Sequence, residues 1–124
     1  MTQPLALVFY EKLFPGSRLV NRLQDMNYRV QTVTSPDLLH VTAAREKPLL
    51  IFLDLMENRP AVYPSICEVK KDTATLHIPV ITFISANAKE IEASALAAGA
   101  NLVVAETAII DQLAQIIEQA LQII

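Results

Sequence analysis

The stretch Pro48-Leu49-Leu50-Ile51-Phe52-Leu53-Asp54-Leu55-Met56-Glu57-Asn58 decides the fold. Its first part, Leu49 to Leu53, is apolar without interruption and then meets one carboxylate. A strand covered on both faces has no wet side, so its sequence shows no polar alternation. Three more runs read the same way: Leu5 to Phe9 (LALVF), Val80 to Ile84 (VITFI) and Leu102 to Ala105 (LVVA). A fifth segment, Tyr28 to Val33 (YRVQTV), mixes apolar and polar residues and predicts an edge strand.

Helical periodicity fills the gaps. Leu19, Val20, Leu23 and Met26 recur at helical spacing after the Pro15-Gly16-Ser17 break, with Ser17 as the expected cap. Ser35-Pro36-Asp37 opens a second helix running to about Lys47. A third starts near Pro60 to Pro64 and turns Ile66 and Val69 inward; a fourth begins near Asn87 and stops at Gly99. The last carries the stripe Ile109, Ile110, Leu113, Ile116, Ile117, Leu121 and Ile124, with Thr107 at its expected N-cap. Strands alternating with helices imply a parallel sheet with right-handed crossovers and helices on both faces. The prediction is an α/β flavodoxin-like (βα)5 three-layer sandwich whose five strands run in the order 2-1-3-4-5. In such sheets ligands bind at the carboxyl ends of the strands, beside the switch point between strands 1 and 3.

Composition narrows the function. The 124 residues are 52% apolar and 19% charged, enough for one core and one domain over residues 1–124. Ten Lys and Arg against thirteen Asp and Glu leave a net charge of −3, which argues against a non-specific grip on nucleic acid. No apolar stretch has the length of a membrane span, and the N-terminus lacks the basic start of a signal peptide. The single cysteine, Cys67, fits a reducing compartment, so a cytoplasmic setting is expected, with Cys67 as a small buried hydrophobe. The opening Met1 suggests a genuine N-terminus, while the end of the chain suits either a whole protein or a piece of a longer one. His40 and His77 have no metal-ligating companions nearby in sequence, and Lys70-Lys71-Asp72 reads as a solvated helix end. With only Gly16 and Gly99 present there is no glycine-rich phosphate loop.

The residues expected at the strand ends are Phe9, Tyr10, Glu11 and Lys12 after strand 1, Asp54 after strand 3, Ser85 after strand 4, and Glu106 and Thr107 after strand 5. Here the chain resembles the receiver domain of two-component response regulators over essentially its whole length. The resemblance rests on PLLIFLDLMEN, on HIPVITFISA and on AKEIEASALAAGANLVVAET. It implies that Asp54 is the phospho-accepting aspartate and that Ser85 is the hydroxyl reading the phosphorylated state, although Ile84 is an alternative occupant of that place. Phosphoryl transfer to an aspartate develops charge that Mg²⁺ and a lysine must meet, and Mg²⁺ requires carboxylate oxygens. The family's acidic pair falls here on Phe9 and Tyr10, its lysine on Glu106, and its strand-5 aromatic switch on Val103. The resemblance therefore implies an atypical receiver, a pseudo-receiver, that signals by protein contacts with weak or no phosphotransfer.

The alternative is a divergent working receiver phosphorylated on Asp54, with Mg²⁺ held by Asp54 and Glu11 and with Lys12 replacing the missing cation. A third reading gathers Glu11, Asp54, Glu57 and Glu106 into an acidic pocket for a cation; its bland counterpart leaves Glu11 and Glu57 in solvent. Phe9 is expected to fill the space a metal would take and Tyr10 to pack on a neighbouring helix. Expected partners are a histidine kinase or an output domain, with a homodimer through helix 4, strand 5 and helix 5 also possible. The off-stripe Ile123 is a candidate contact on that surface.

Overall fold

The four all-apolar runs and the mixed fifth one form a single parallel sheet in the order β2-β1-β3-β4-β5. The strands are β1 (Leu5–Phe9), β2 (Arg29–Val33), β3 (Leu50–Leu55), β4 (Val80–Ile84) and β5 (Leu102–Ala105). The computed structural model describes residues 3–10 and 13–122, so Glu11, Lys12, Ile123 and Ile124 lie outside the described residues. β1, β3 and β4 are buried at every position, as uninterrupted apolar runs demand, while β2 is partly exposed at the sheet edge. β3 extends beyond its expected end, so Asp54 lies inside the strand, paired across the ladder with Phe83. Its carboxylate thus leaves from an ordered, buried backbone rather than from a loop.

Among the described residues, six helices cover the two faces: α1 (Leu13–Asp25), α2 (Leu39–Glu46), α3 (Val62–Lys71), α4 (Lys89–Ala98), α5 (Glu106–Asp111) and α6 (Leu113–Gln122). Alternation along the strands divides the core into two apolar layers. Leu5, Leu7, Phe9, Leu53 and Leu55 pack with Leu39, Val62, Ile66 and Ala95 under α2, α3 and α4. Ala6, Val8, Phe52 and Phe83 pack with Leu19, Leu23, Ile109, Leu113 and Ile117 under α1, α5 and α6.

Four expected helix starts are corrected. Ser17 is not a cap, because α1 begins at Leu13 and takes Pro15 into its first turn, where the missing N–H costs no intrahelical bond. Ser35 does accept a hydrogen bond from the Asp37 N–H at 3.3 Å, but it caps a short 3₁₀ turn, Pro36–Leu38, that leads into α2. Asn87 is left-handed (φ 71°), which delays α4 to Lys89. At its far end α4 stops as expected on Gly99, whose φ of 118° an L side chain rarely adopts. The C-terminal stripe spans two helices interrupted at Gln112, and Thr107 lies inside α5, with the extended Ala105 as its N-cap. Periodicity reads through the break because Ile109, Ile110, Leu113, Ile116 and Ile117 remain buried on one side.

Three surface expectations change as well. Cys67 is half-exposed rather than buried. The 70–72 segment is not simply solvated. Lys70 Nζ donates to the carbonyls of Ile78 (2.6 Å) and Leu76 (3.2 Å), and burial pulls its pKa below the ordinary lysine value. His40, to which the sequence assigned nothing, clasps α2 to α3: Nε2 lies 2.8 Å from Asp72 Oδ2, and Nδ1 lies 3.7 Å from Glu68 Oε2. The Asp72 pKa is held down by the Ala74 backbone N–H and then by His40.

Candidate functional site at the carboxyl ends of the strands

Asp54 is the carboxylate that the sheet delivers to its carboxyl edge, and only 6% of its surface is exposed. Its Oδ1 accepts the Met56 N–H at 2.9 Å, closing a side-chain turn two residues long. From the neighbouring strand end, Ser85 Oγ donates to the Met56 carbonyl at 3.4 Å. Asp54 and Ser85 therefore hold the same peptide segment from opposite sides, one through its N–H and one through its C=O. Ser85 follows directly on β4 and is half-buried, whereas Ile84 is the last strand residue, paired with Leu55 and buried.

The positions after β1 are aromatic and packed. Phe9 is 1% exposed, paired with Val33 and Leu53 and sunk into the layer beneath α2 and α3. Tyr10 turns to the opposite layer, where its ring lies so close to Gly16 that a β-carbon there would overlap it. Tyr10 thus packs on α1, and α1 needs a glycine to receive it. Glu106 opens α5 and is half-buried. Val103, on β5, is half-buried against the α4-side layer. Glu57 is exposed, 3.6 Å from the guanidinium of Arg59.

The structure thus brings Asp54 and Ser85 together, places Phe9 and Tyr10 in separate core layers, and leaves Glu57 on the surface beside an arginine. Two features escaped the sequence reading. The Tyr63 hydroxyl donates to Asn58 Oδ1 at 2.9 Å, tying the β3–α3 loop to α3. The same pair joins Asn87, Lys89, Ile91 and Ser94 around an open cleft of about 500 Å³ between that loop and α4. Neither has a local sequence signal, because the partners belong to different turns.

The donor set decides whether Mg²⁺ fits. The ion requires hard oxygens in an octahedral arrangement, with more than one carboxylate in a site of this kind. Phe9 and Tyr10 supply none, one Asp54 oxygen already receives a backbone N–H, and no group of three metal-ligating side chains converges among the described residues.

No family model matches the chain, and no curated protein matches it. Solved structures do. The receiver domain of the sensor histidine kinase PA1611 from Pseudomonas aeruginosa PAO1, whose structure has magnesium in its active-site cleft, is 18% identical. It superposes with a TM-score of 0.84 over 96% of this chain and 98% of its own. The signal receiver domain of a modulated diguanylate cyclase from Desulfovibrio desulfuricans G20 is also 18% identical, with a TM-score of 0.78 over 98% of this chain and 95% of its own. NtrX from Brucella abortus, 22% identical, gives 0.81 over 98% of this chain but only 27% of its own length. The chain therefore has the flavodoxin-like fold of response-regulator receiver domains. Among the described residues no helix is long and apolar enough to cross a membrane.

Proposed function

We propose that the chain is an atypical receiver domain of two-component signalling, a pseudo-receiver that acts in the cytoplasm through protein–protein contacts and transfers phosphoryl groups weakly or not at all. One observation carries the reading: the fold retains the family's aspartate while the positions that would neutralise a phosphoryl group on it are Phe9, Tyr10 and Glu106. A phosphoryl group on Asp54 would find Glu106 at the position where the family has a lysine, and Phe9 and Tyr10 where it has the acidic pair that brings a metal. Its own carboxylate is also engaged at Met56. The partners would be a histidine kinase or an output domain, met through α4, β5 and the α5–α6 segment. Ser85, the candidate hydroxyl switch, donates to the Met56 carbonyl at 3.4 Å.

Intact-mass spectrometry after incubation with acetyl phosphate and Mg²⁺, beside an Asp54→Asn control, tests the proposal. The expected result is no hydroxylamine-labile adduct under conditions that modify an ordinary receiver. An adduct on the parent that is absent from the control would overturn it and return Glu11 and Lys12 as replacement ligand and cation.

A further inference from the structure

We infer that the outer edge of β5 receives an extended, cationic, amphipathic segment of a partner protein by strand addition, and that this face disfavours a second copy of the chain. The inference rests on the reading of the protein as a contact module and names the chemistry of what it contacts. Among the described residues β5 bonds only to β4 and so ends the sheet. All four of its residues are apolar and half-exposed, in contrast to the wholly buried β1, β3 and β4. Edge strands are ordinarily protected by lysine, proline or a covering element, because their free N–H and C=O groups invite pairing. Leu102, Val103, Val104 and Ala105 carry no such residue.

The surroundings choose the occupant. Val103, Val104 and Ala105 share a groove of about 220 Å³ with Lys89 and Glu92 of α4. Leu96, 49% exposed, lies four residues beyond Glu92 and so continues that flank of the helix. Val103 belongs to the layer under α4, whereas Leu102 and Val104 belong to the layer under α5 and α6. An added strand would alternate in the same way, one set of side chains over Glu92 and Leu96 and the other over α5, which opens with Glu106. Charge is segregated along the chain. From Ser85 onward, Lys89 is the sole cation against Glu90, Glu92, Glu106, Asp111 and Glu118, although the residues before it hold nearly equal numbers of each sign. A two-fold dimer through this edge would set Glu92 and Glu106 of one copy against the same carboxylates of the other. A segment bearing Lys or Arg between apolar residues meets both the charge and the apolar strip.

The probe is a synthetic peptide of four Lys-Val repeats, compared with four Glu-Val repeats, by fluorescence anisotropy without any phosphodonor. The lysine peptide is expected to bind, to weaken as salt rises, and to slow amide exchange at residues 102–105. Glu92→Lys, at an exposed position, should weaken it roughly five- to tenfold without changing the melting temperature. Equal binding of the two peptides, no binding of either, protection confined to another surface, or a salt-independent dimer of the free chain would each overturn the inference. A phosphoryl adduct on Asp54 would overturn the proposed function and leave this inference standing, since Asp54→Asn should bind the probe as the parent does.

Discussion

Asp54 and Asp72 are both carboxylates that accept a backbone N–H two residues ahead, but they occupy different settings. Asp54 is buried at the end of β3, and truncating it would leave the Met56 N–H without that acceptor. Asp54→Ala should therefore cost about 1–2 kcal/mol in urea unfolding, with Asp54→Asn losing less because its amide oxygen still accepts. Asp72 lies on the surface and binds Ala74 and His40. Its pKa is held below the ordinary 3.8, so its stabilising contribution is complete above that value and drains away as pH falls through the lower, folded-state value. The gap in unfolding midpoint between the parent and Asp72→Asn should be open at pH 6 and close progressively below pH 3.8. The sequence could nominate Asp54 because a lone carboxylate after an apolar run is a local signal. It could not nominate the His40 clasp, whose members are 32 residues apart.

At the scale of elements, the sequence located strands more reliably than helix ends. The limits of β1, β4 and β5 coincide with their apolar runs, since burial on both faces excludes polar residues until the strand leaves the core. Helix starts depend on what the first turn meets, and that is tertiary. α1 starts ahead of its expected cap, and the glycine that looked like a break is the surface on which Tyr10 lies. An alanine at a helix interior position ordinarily gains about 1 kcal/mol over glycine. Gly16→Ala should instead lose about 1–3 kcal/mol, because the new methyl group overlaps the Tyr10 ring. Pairing it with Tyr10→Ala should recover most of that loss, and a double-mutant cycle by thermal melting measures the coupling. Gly99→Ala should cost about 1–2 kcal/mol at the other kind of glycine site, a left-handed C-cap. There a β-carbon would also come within 2.9 Å of Lys70 Cγ.

For the whole molecule, the chain has the receiver fold, and the proposed function rests on what its strand ends offer in place of a metal site. Addition of 10 mM Mg²⁺, a concentration chosen to be about saturating for an ordinary weak divalent site, should leave the melting temperature unchanged, because a ligand stabilises only a native state that binds it. A rise in melting temperature abolished by Asp54→Asn would return the metal-dependent reading. The sequence by itself determined the parallel sheet and its strand order, since continuous apolar runs and alternating helical periods admit few right-handed topologies. It also determined the charge segregation, which needs only a count. Only the tertiary structure decided that Phe9 and Tyr10 enter opposite core layers, that Ser85 and Asp54 hold one turn between them, and that β5 is left half-exposed. Those outcomes depend on which groups from distant parts of the chain arrive at the same place, and local pattern carries no information about arrivals.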